Sequence, residues 1–373
     1  MIRSLQLENY RGFKEYKLSG LKRINLLVGK NNSGKTSVLE AVHLLASSGD
    51  PRVLSRIAQQ RGEVVYDTED RDTRRSSYTD LSHFFHGHQF GEESRFVIQS
   101  DGKLGKLEVS VVGYEEMKDD GQKFQFKDSS TPVAFGLAIK MGRDGQPGLK
   151  TGPALPVTEE GVLFLERPLP FYRTSRIRDD DRLVQFISQD SLDRSSMSEM
   201  WDEVATEGNE QDVVGAMKIL DGNLNSIVFL SSRSSPNRYV PSDGILLGFE
   251  GVRGRLPLGT YGEGMRPMLA LALSLARTQN GILLIDEIDT GLHYSIMGDM
   301  WRLVAQTAQR HNIQVFATTH SFDCVRGLDW LCRNHPELGE EVSLQKIEPE
   351  LSTAVAFDAE QIKISVEQDI EVR

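Results

Sequence analysis

The sequence predicts an α/β protein with a mainly parallel sheet, an antiparallel β subdomain and a helical insertion. One apolar run, at 24–28, leads through a glycine-rich loop into apolar residues at helical spacing. After residue 220, strand-like and helix-like stretches alternate, which favours parallel strands covered on both faces. Between 95 and 139, short segments of alternating polarity indicate antiparallel strands instead.

The N-terminal stretch predicts strand, turn, strand, strand and helix in that order. Apolar residues within 2–7 open the first strand, and 10–13 form a turn into a second strand around 16–18. The run at 24–28 is apolar throughout, as expected of a strand buried on both faces. Residues 38–45 then repeat apolar side chains at the period of a helix.

The middle of the chain is less regular. Residues 47–51 end the first helix, and 142–152 have the glycine and proline content of a loop. From 181 to 220 the apolar spacing predicts helices, and no heptad pattern lasts three turns, so we expect no long coiled coil. Later predicted elements are strands at 227–230, 245–249, 281–285 and 315–317, and helices at 268–277 and 297–310.

Composition indicates an ordinary soluble protein of the cytoplasm. Of 373 residues, 39% are hydrophobic and 26% charged, as in globular domains. No stretch approaches the roughly 18 consecutive apolar residues that span a bilayer, and the N-terminus lacks a signal-peptide pattern, so we expect no membrane partner. Cys324 and Cys332 are too few for a disulfide scaffold and wrongly spaced for a zinc knuckle, so we expect two reduced thiols.

The net charge of −11 argues against a uniformly basic nucleic-acid surface. Two local arginine clusters keep direct DNA binding open as an alternative. They comprise Arg71, Arg74 and Arg75, and Arg173, Arg176 and Arg178. Aspartates are interspersed in both clusters, which is more typical of a solvated surface than of a phosphate track.

The loop at 29–36 fully matches the phosphate-binding pattern G-x-x-x-x-G-K-[ST]. Its residues are Gly29, Lys30, Asn31, Asn32, Ser33, Gly34, Lys35 and Thr36, and we include Ser37 in the predicted ATP site. The glycines let backbone N–H groups surround phosphates, while Lys35 reaches the β and γ phosphates and the Thr36 hydroxyl ligates Mg²⁺. The helix that begins there adds its positive dipole end.

A second motif, at 281–287, is an apolar strand that ends in two acids. We expect Asp286 to hold Mg²⁺ through water and Glu287 to orient the attacking water or accept its proton. Together with the phosphate-binding loop, this pair predicts hydrolysis of ATP to ADP and phosphate.

A third motif, at 317–321, is a strand that ends in His320, placed to reach a γ-phosphate. The order of phosphate-binding loop, Asp-Glu strand and strand-ending histidine resembles the ABC-type ATPases, specifically their SMC/RecF-like branch rather than transporters. The resemblance implies an ABC-type P-loop ATPase head over 1–373. Within it we expect an inserted second lobe at 47–220, a lobe with the remaining motifs at 221–330 and a C-terminal segment at 331–373.

The resemblance predicts a signature segment before the helix at 268–277. In the family this segment caps the γ-phosphate bound by a second subunit, which places Gly262, Glu263 and Gly264 in the predicted site. The usual signature serine falls at Gly262, so a hydroxyl donor is missing. Backbone N–H groups there could still bind phosphate, although Glu263 carries the wrong charge.

Residues 289–293 occupy the family's D-loop position, and their Gly-Leu-His form is similar to a narrower group. That group comprises the ATPase domains of OLD-family nucleases and related stand-alone ATPases of anti-phage defence. The turn at 9–13 also resembles it and would place Arg11 near the phosphates. The family also has a Q-loop glutamine. Our candidate for it is Gln99, and other glutamines such as Gln89 compete with it.

The resemblance implies partners as well as a site. We expect an ATP-dependent homodimer or higher oligomer, because one chain carries one set of motifs and each site is completed by the other subunit. About fifty residues follow His320, too few for a Toprim nuclease domain, so the expected effector is a separate protein such as a Toprim-like nuclease. The alternative is a RecF-like DNA-repair ATPase that binds DNA directly; a transporter motor fits the motifs less well.

Overall fold

The structure, a computed structural model, describes residues 1–66, 77–113, 133–142, 150–151, 154–163, 184–187, 193–230, 244–262 and 264–370. The chain folds into two compact units. Unit 1 comprises Met1–Leu21, Asn32–Asp181 and Ile347–Val355. Unit 2 comprises Lys22–Asn31, Arg182–Lys346 and Ala356–Arg373.

The strands are numbered in chain order. They are β1 Ser4–Tyr10, β2 Phe13–Ser19, β3 Ile24–Val28, β4 Val64–Tyr66, β5 Ser77–Asp80, β6 Arg95–Ser100, β7 Lys106–Gly113, β8 Val133–Gly142, β9 Lys150–Thr151, β10 Leu155–Thr158, β11 Val162–Leu163, β12 Val184–Ile187, β13 Leu224–Phe229, β14 Ile245–Phe249, β15 Arg255–Pro257, β16 Ile282–Ile285, β17 Gln314–Thr318, β18 Val342–Lys346 and β19 Val355–Phe357.

The helices are α1 Lys35–Ala46, α2 Pro51–Arg61, α3 Arg194–Thr206, α4 Glu210–Met217, α5 Met265–Arg277, α6 Met297–Arg310, α7 Phe322–Asn334, α8 Pro336–Gly339 and α9 Ala359–Glu367. Short 3₁₀ turns cover Ser82–Phe84, His86–His88, Leu258–Tyr261 and Tyr294–Ile296.

Unit 1 is organised on an antiparallel sheet in the order β2-β1-β6-β7-β8-β10-β11-β5-β4, with β9 paired to β8. Along β1, buried Leu5 and Leu7 alternate with polar neighbours such as Gln6, as expected where one face of a sheet covers a core. Leu5, Leu7 and Ile98 are among the side chains fully buried on β1 and β6. Helix α1 contacts β6 and β7.

Unit 2 contains a six-stranded sheet in the order β12-β16-β17-β3-β18-β19. The pairs from β12 to β18 are parallel. All five residues of β3 are buried, which fits a central parallel strand with both faces covered. Trp301 on α6 is fully buried, and its indole N–H donates to the Cys324 carbonyl of α7 at 3.0 Å. A smaller antiparallel sheet, β13-β14-β15, completes the strands of this unit.

The predicted α/β class, with a parallel sheet and a separate antiparallel β region, is confirmed. The predicted strands at 24–28, 95–99 and 106–112 appear as β3, β6 and β7. Helix α6 begins and ends at the predicted residues. The longest described helix has 14 residues, so no long coiled coil occurs in the part of the chain that the structure describes.

One prediction of secondary structure was wrong, and one helix was missed. Phe186 and Ile187, predicted to be helical, lie in β12, which pairs with β16 in parallel. Four apolar-rich residues cannot reveal a period, so a short buried strand looks like a helical turn. Residues 47–51 do end α1, but they also start α2, because Pro51 occupies its first turn and Asp50 accepts the Arg52 N–H.

The loop predicted at 142–152 falls mostly outside the described residues, apart from β8's last residue and the short strand β9. None of the helices that the structure describes is long and apolar enough to cross a membrane.

Candidate functional site

Three parallel strands of unit 2 end at one edge of its six-stranded sheet. Strand β17 lies between β16 and β3, with parallel register on both sides. Asp286 and Glu287 follow β16, His320 comes two residues after β17, and Gly29 follows β3. Because parallel strands share a direction, Gly29, the Asp-Glu pair and His320 all lie at the carboxyl-end edge, where α/β proteins bind ligands.

The end of β17 fixes the backbone and side chain of the Asp-Glu pair. The Thr318 hydroxyl donates to Asp286 Oδ1 at 2.6 Å and accepts the Glu287 N–H at 2.8 Å. The next residue acts similarly, since the Thr319 hydroxyl donates to Asp289 Oδ1 at 2.6 Å and accepts the Ser321 N–H at 2.9 Å. We call Thr318 and Thr319 the hydroxyl clamp.

Glu287 and His320 face each other at this edge. His320 Nε2 lies 3.9 Å from Glu287 Oε1, and the side chains are 41% and 42% exposed. The Thr290 hydroxyl donates to Glu287 Oε2 at 3.3 Å. A carboxylate near a histidine, both reachable by solvent, can orient and deprotonate a water molecule.

The predicted phosphate-binding loop contains three residues with positive φ. They are Gly29 at 147°, Asn32 at 62° and Gly34 at 93°. Gly34 also lacks space for a side chain, since a Cβ there would lie 2.4 Å from Phe13 Cζ. The second glycine of the motif is therefore required by backbone conformation and by the Phe13 ring.

The start of α1 has the features that an anion needs. The helix N-terminus has no side-chain cap and no acidic residue in its first turn. Ser33 Oγ is buried and has no hydrogen-bond partner among the described residues. Lys35 is 5% exposed, while Lys30, Asn31 and Asn32 are exposed. These residues fit a triphosphate, because N–H groups at a helix start and an orphaned hydroxyl are donors for phosphate oxygens.

The predicted magnesium ligands, Thr36 and Asp286, supply a hydroxyl and a carboxylate. Both are oxygen donors of the kind that Mg²⁺ prefers, and Mg²⁺ commonly keeps several waters beside one or two protein ligands. The donor chemistry therefore fits. Within the described ranges, no three His, Cys, Asp or Glu side chains come together as a metal-binding group.

Arg11, predicted near the phosphates, is engaged with carboxylates of unit 1. The residue is 7% exposed, and its Nε lies 2.8 Å from Glu40 Oε2. Its Nη1 and Nη2 donate to Glu63 Oε1 and Oε2 at 2.7 and 3.1 Å, and its Cζ lies 4.6 Å from the centre of the Phe84 ring. A contact of Arg11 with phosphate stays a prediction, since its described partners are these side chains.

Glu40 extends this ion-pair network along α1. Arg61 Nε donates to Glu40 Oε1 at 2.5 Å, and Arg61 Nη2 donates to Ser37 Oγ at 3.2 Å. The network thus reaches Ser37, which is next to the predicted magnesium ligand Thr36. We call the four charged residues Arg11, Glu40, Arg61 and Glu63 the α1 brace.

His43 lies on the same helix. Burial lowers its pKa to about 4, with Arg56 acting in the same direction and Asp50 opposing. The imidazole is therefore neutral at physiological pH. Burial likewise raises the pKa of the Tyr10 phenol, which keeps that side chain uncharged beside the α1 brace.

The predicted signature segment precedes α5, which begins at Met265. Gly262 has φ 94° and is exposed, and no described residue beyond its chain neighbours has an atom within 4 Å of the place where a Cβ would lie. Gly264 is the N-cap residue of α5, where a Cβ would lie 3.0 Å from Ile296 Cδ1. Glu263 lies outside the described residues. Contact of this segment with a nucleotide stays a prediction.

Other candidate residues are less informative. Gln99 lies exposed on β6, paired in register with Gln6 and Lys106. Both arginine clusters considered for DNA binding lie outside the described residues. Cys324 and Cys332 are buried free thiols, and burial raises the pKa of Cys332 to about 11.

Sequence reasoning missed the residues that support the site. Thr318 and Thr319 were part of the histidine motif but had no role, although consecutive hydroxyls at a strand end are a usable signal. Phe13 was part of the turn motif at 9–13 but had no role, and Glu40 gave no signal, because their contacts depend on residues distant in sequence.

Two family models match the chain. The AAA ATPase domain matches residues 1–130. The family described as AAA domain, putative AbiEii toxin, Type IV TA system matches residues 159–323. The first match ends and the second begins on either side of the antiparallel strand β8.

Individual proteins are similar at lower levels. An ATP/GTP phosphatase of Helicobacter pylori is 20% identical over 347 residues, covering 89% of this chain and 89% of that protein. The DNA replication and repair protein RecF of Acinetobacter baylyi is 54% identical over 46 residues, covering 12% of this chain and only 13% of that protein.

A solved structure of an Smc head bound to the C-winged helix domain of ScpA has 13% identity and a TM-score of 0.49, with 96% of this chain and 98% of that chain covered. The sequence matches give the firmer conclusion, since they fall on the stretches that hold the phosphate-binding loop and the Asp-Glu strand. Residues 1–130 and 159–323 are each similar to AAA-type ATPase domains.

Proposed function

We propose that the chain binds ATP with Mg²⁺ and hydrolyses it to ADP and phosphate. The observation that carries this proposal is the common edge of three parallel strands, where Gly29, the Asp286–Glu287 pair and His320 follow β3, β16 and β17. The similarity to AAA-type domains and to an ATP/GTP phosphatase supports the same activity.

Each side chain has a role in this proposal. Lys35 binds the β and γ phosphates, and the loop N–H groups with Ser33 surround them. Thr36 and Asp286 would hold Mg²⁺, and the ion would supply positive charge to neutralise the phosphate oxygens. Glu287 orients the attacking water and accepts its proton, while His320 lies beside it to contact the γ-phosphate.

The test is phosphate release from ATP by the purified chain and by Glu287→Gln. We expect turnover to fall at least about 100-fold in the variant while ATP still binds, because the amide keeps the shape but not the basicity. Glu360→Gln is the matched control, since Glu360 lies exposed on α9 and pairs with Lys363. Equal turnover in Glu287→Gln and the wild type would sink the assignment.

The proposed role of ATP is to close a homodimer, or a higher oligomer, that regulates or scaffolds a separate effector. The effector we favour is a Toprim-like nuclease in bacterial anti-phage defence. Two facts support this proposal: the chain holds one set of motifs, and one matching family is described by a putative toxin system. Glu287→Gln with ATP should then accumulate as a dimer in light scattering, whereas Lys35→Ala should not.

A RecF-like repair ATPase is the second candidate. The observation that favours it is the 54% identity to RecF over 46 residues. Such a protein would bind DNA directly, so DNA alone would stimulate its turnover, and the stimulation would fall steeply with salt. Turnover indifferent to DNA, with a small nuclease co-purifying from the native host, would favour the effector role instead.

A further inference from the structure

The Thr318 hydroxyl joins both acids of the Asp-Glu pair. Thr318 is 1% exposed, and its Oγ1 lies 2.6 Å from Asp286 Oδ1 and 2.8 Å from the Glu287 nitrogen. One buried oxygen atom thus contacts two residues to which the proposed function gives different tasks.

Chemistry fixes the direction of these two hydrogen bonds. A backbone N–H can only donate, so the Glu287 N–H donates to Thr318 Oγ1. A threonine hydroxyl has a single proton, which therefore goes to Asp286 Oδ1. Hydrogen bonds to a carboxylate are short and strong, and 2.6 Å fits that class.

The backbone at Glu287 depends on the same residue. Glu287 has φ 54°, a left-handed conformation that non-glycine residues adopt infrequently. Its N–H donates to Thr318 Oγ1, and the next N–H, of Ile288, donates to the Thr318 carbonyl at 3.0 Å. Two successive N–H groups on one threonine hold the turn that aims the Glu287 side chain toward His320.

We propose that Thr318 is a positioning residue that sets the Asp286 carboxylate and the Glu287 turn together; this inference rests on the proposed ATPase function. The hydroxyl holds one oxygen of Asp286 in place and holds the backbone from which Glu287 projects. Losing it releases both acids at once, so the chemical step suffers more than the binding of ATP.

The first test compares Thr318→Val with Thr318→Ser. Valine keeps the shape and removes the hydroxyl, so we expect kcat for ATP to fall roughly 10- to 100-fold, with KM changed less than about threefold. Serine keeps the hydroxyl and should stay within about threefold of the wild type. Thr278→Val is the control, because Thr278 is also fully buried but its hydroxyl donates to the Ser274 carbonyl in α5.

The second test needs no turnover. Amide hydrogen exchange in the nucleotide-free protein should be at least about tenfold faster at Glu287 and Ile288 in Thr318→Val, and unchanged in Thr318→Ser. Wild-type kcat in the valine variant, unchanged exchange, or a serine variant as slow as the valine variant would each overturn the inference. A wild-type protein that lacks ATP turnover defeats the proposed function, and the exchange rates still decide the role of Thr318.

Discussion

The α1 brace of unit 1 and the hydroxyl clamp of unit 2 support predicted ATP-site residues of their own units by different chemistry. The α1 brace uses buried charges, with Arg11 between Glu40 and Glu63. The hydroxyl clamp uses neutral donors on a strand end, with Thr318 and Thr319 bonded to Asp286 and Asp289.

The difference has consequences for stability and for geometry. Removing one member of a buried ion pair leaves a charge without compensation, which is costly to the fold. A hydroxyl is neutral, so its removal costs less, but its hydrogen bonds are directional and fix atoms to a fraction of an ångström. We therefore expect the α1 brace to dominate stability and the hydroxyl clamp to dominate the geometry of the acids.

The largest expected effect comes from Glu40→Ala. The change leaves Arg11 buried with one carboxylate partner instead of two, and we expect a loss of about 3–5 kcal/mol in the free energy of unfolding. Urea denaturation followed by circular dichroism measures it. Glu337→Ala is the control, because Glu337 is 67% exposed and should change stability by less than about 0.5 kcal/mol. A loss that small in Glu40→Ala would contradict the expectation that the α1 brace contributes more to stability than the hydroxyl clamp.

The next effect is the pH dependence of stability that arises from His43, a buried residue of α1. The pKa of His43 is about 4 in the folded state and about 6.5 when unfolded. Its contribution to stability is complete above pH 6.5 and is lost as pH falls toward 4, by about 3 kcal/mol in total. His43→Gln should abolish this part of the loss in urea titrations between these pH values. His293→Gln, at an exposed position, should leave it intact; equal pH profiles for His43→Gln and the wild type would contradict the prediction.

A third effect separates backbone strain from charge. Gly34→Ala places a Cβ on a backbone with φ 93°, 2.4 Å from Phe13 Cζ, so we expect a loss of about 2–3 kcal/mol. ATP binding should weaken as well, which fluorescence titration with a nucleotide analogue would show. Gly12→Ala is the control, since no atom of the described residues beyond its chain neighbours lies within 4 Å of its Cβ position and its φ is not positive. Equal stability of the two variants would contradict the prediction and would show that the Phe13 ring moves aside to make room for the Cβ.

The smallest expected effect is in the hydroxyl clamp. Thr319→Val removes a bond to Asp289 and an acceptor for the Ser321 N–H, which should cost about 1 kcal/mol in unfolding free energy. The denaturant midpoint measures this change. A cost equal to that of Glu40→Ala would show that neutral and charged supports do not differ in the way proposed.

Much of the fold could be predicted because the signals are local. The apolar run of β3, the glycine-rich loop and the periodicity of α6 each depend on neighbours in sequence. The short strand β12 could not be identified, since its partner β16 lies about a hundred residues further along the chain.

In the candidate site, too, local sequence signals were predictable and long-range contacts were not. Lys35, Asp286 and His320 were marked by motifs of adjacent residues. The partners of Arg11 were not, because Glu40 and Glu63 lie far from it in sequence and only the folding of unit 1 brings them together. A motif can therefore name a residue, while the contacts that give it a role follow from tertiary structure.

Because the backbone at Glu287 is left-handed, the residue that is best for stability at this position differs from the residue that is best for ATP turnover. Glycine or asparagine would relieve its conformational cost, so a library of all substitutions at position 287, sorted for abundance alone, should enrich those two residues. Sorted for ATP turnover, the same library should return glutamate. Glutamate at position 287 is disfavoured by the backbone conformation but required for the chemistry, as expected where natural selection acts on activity.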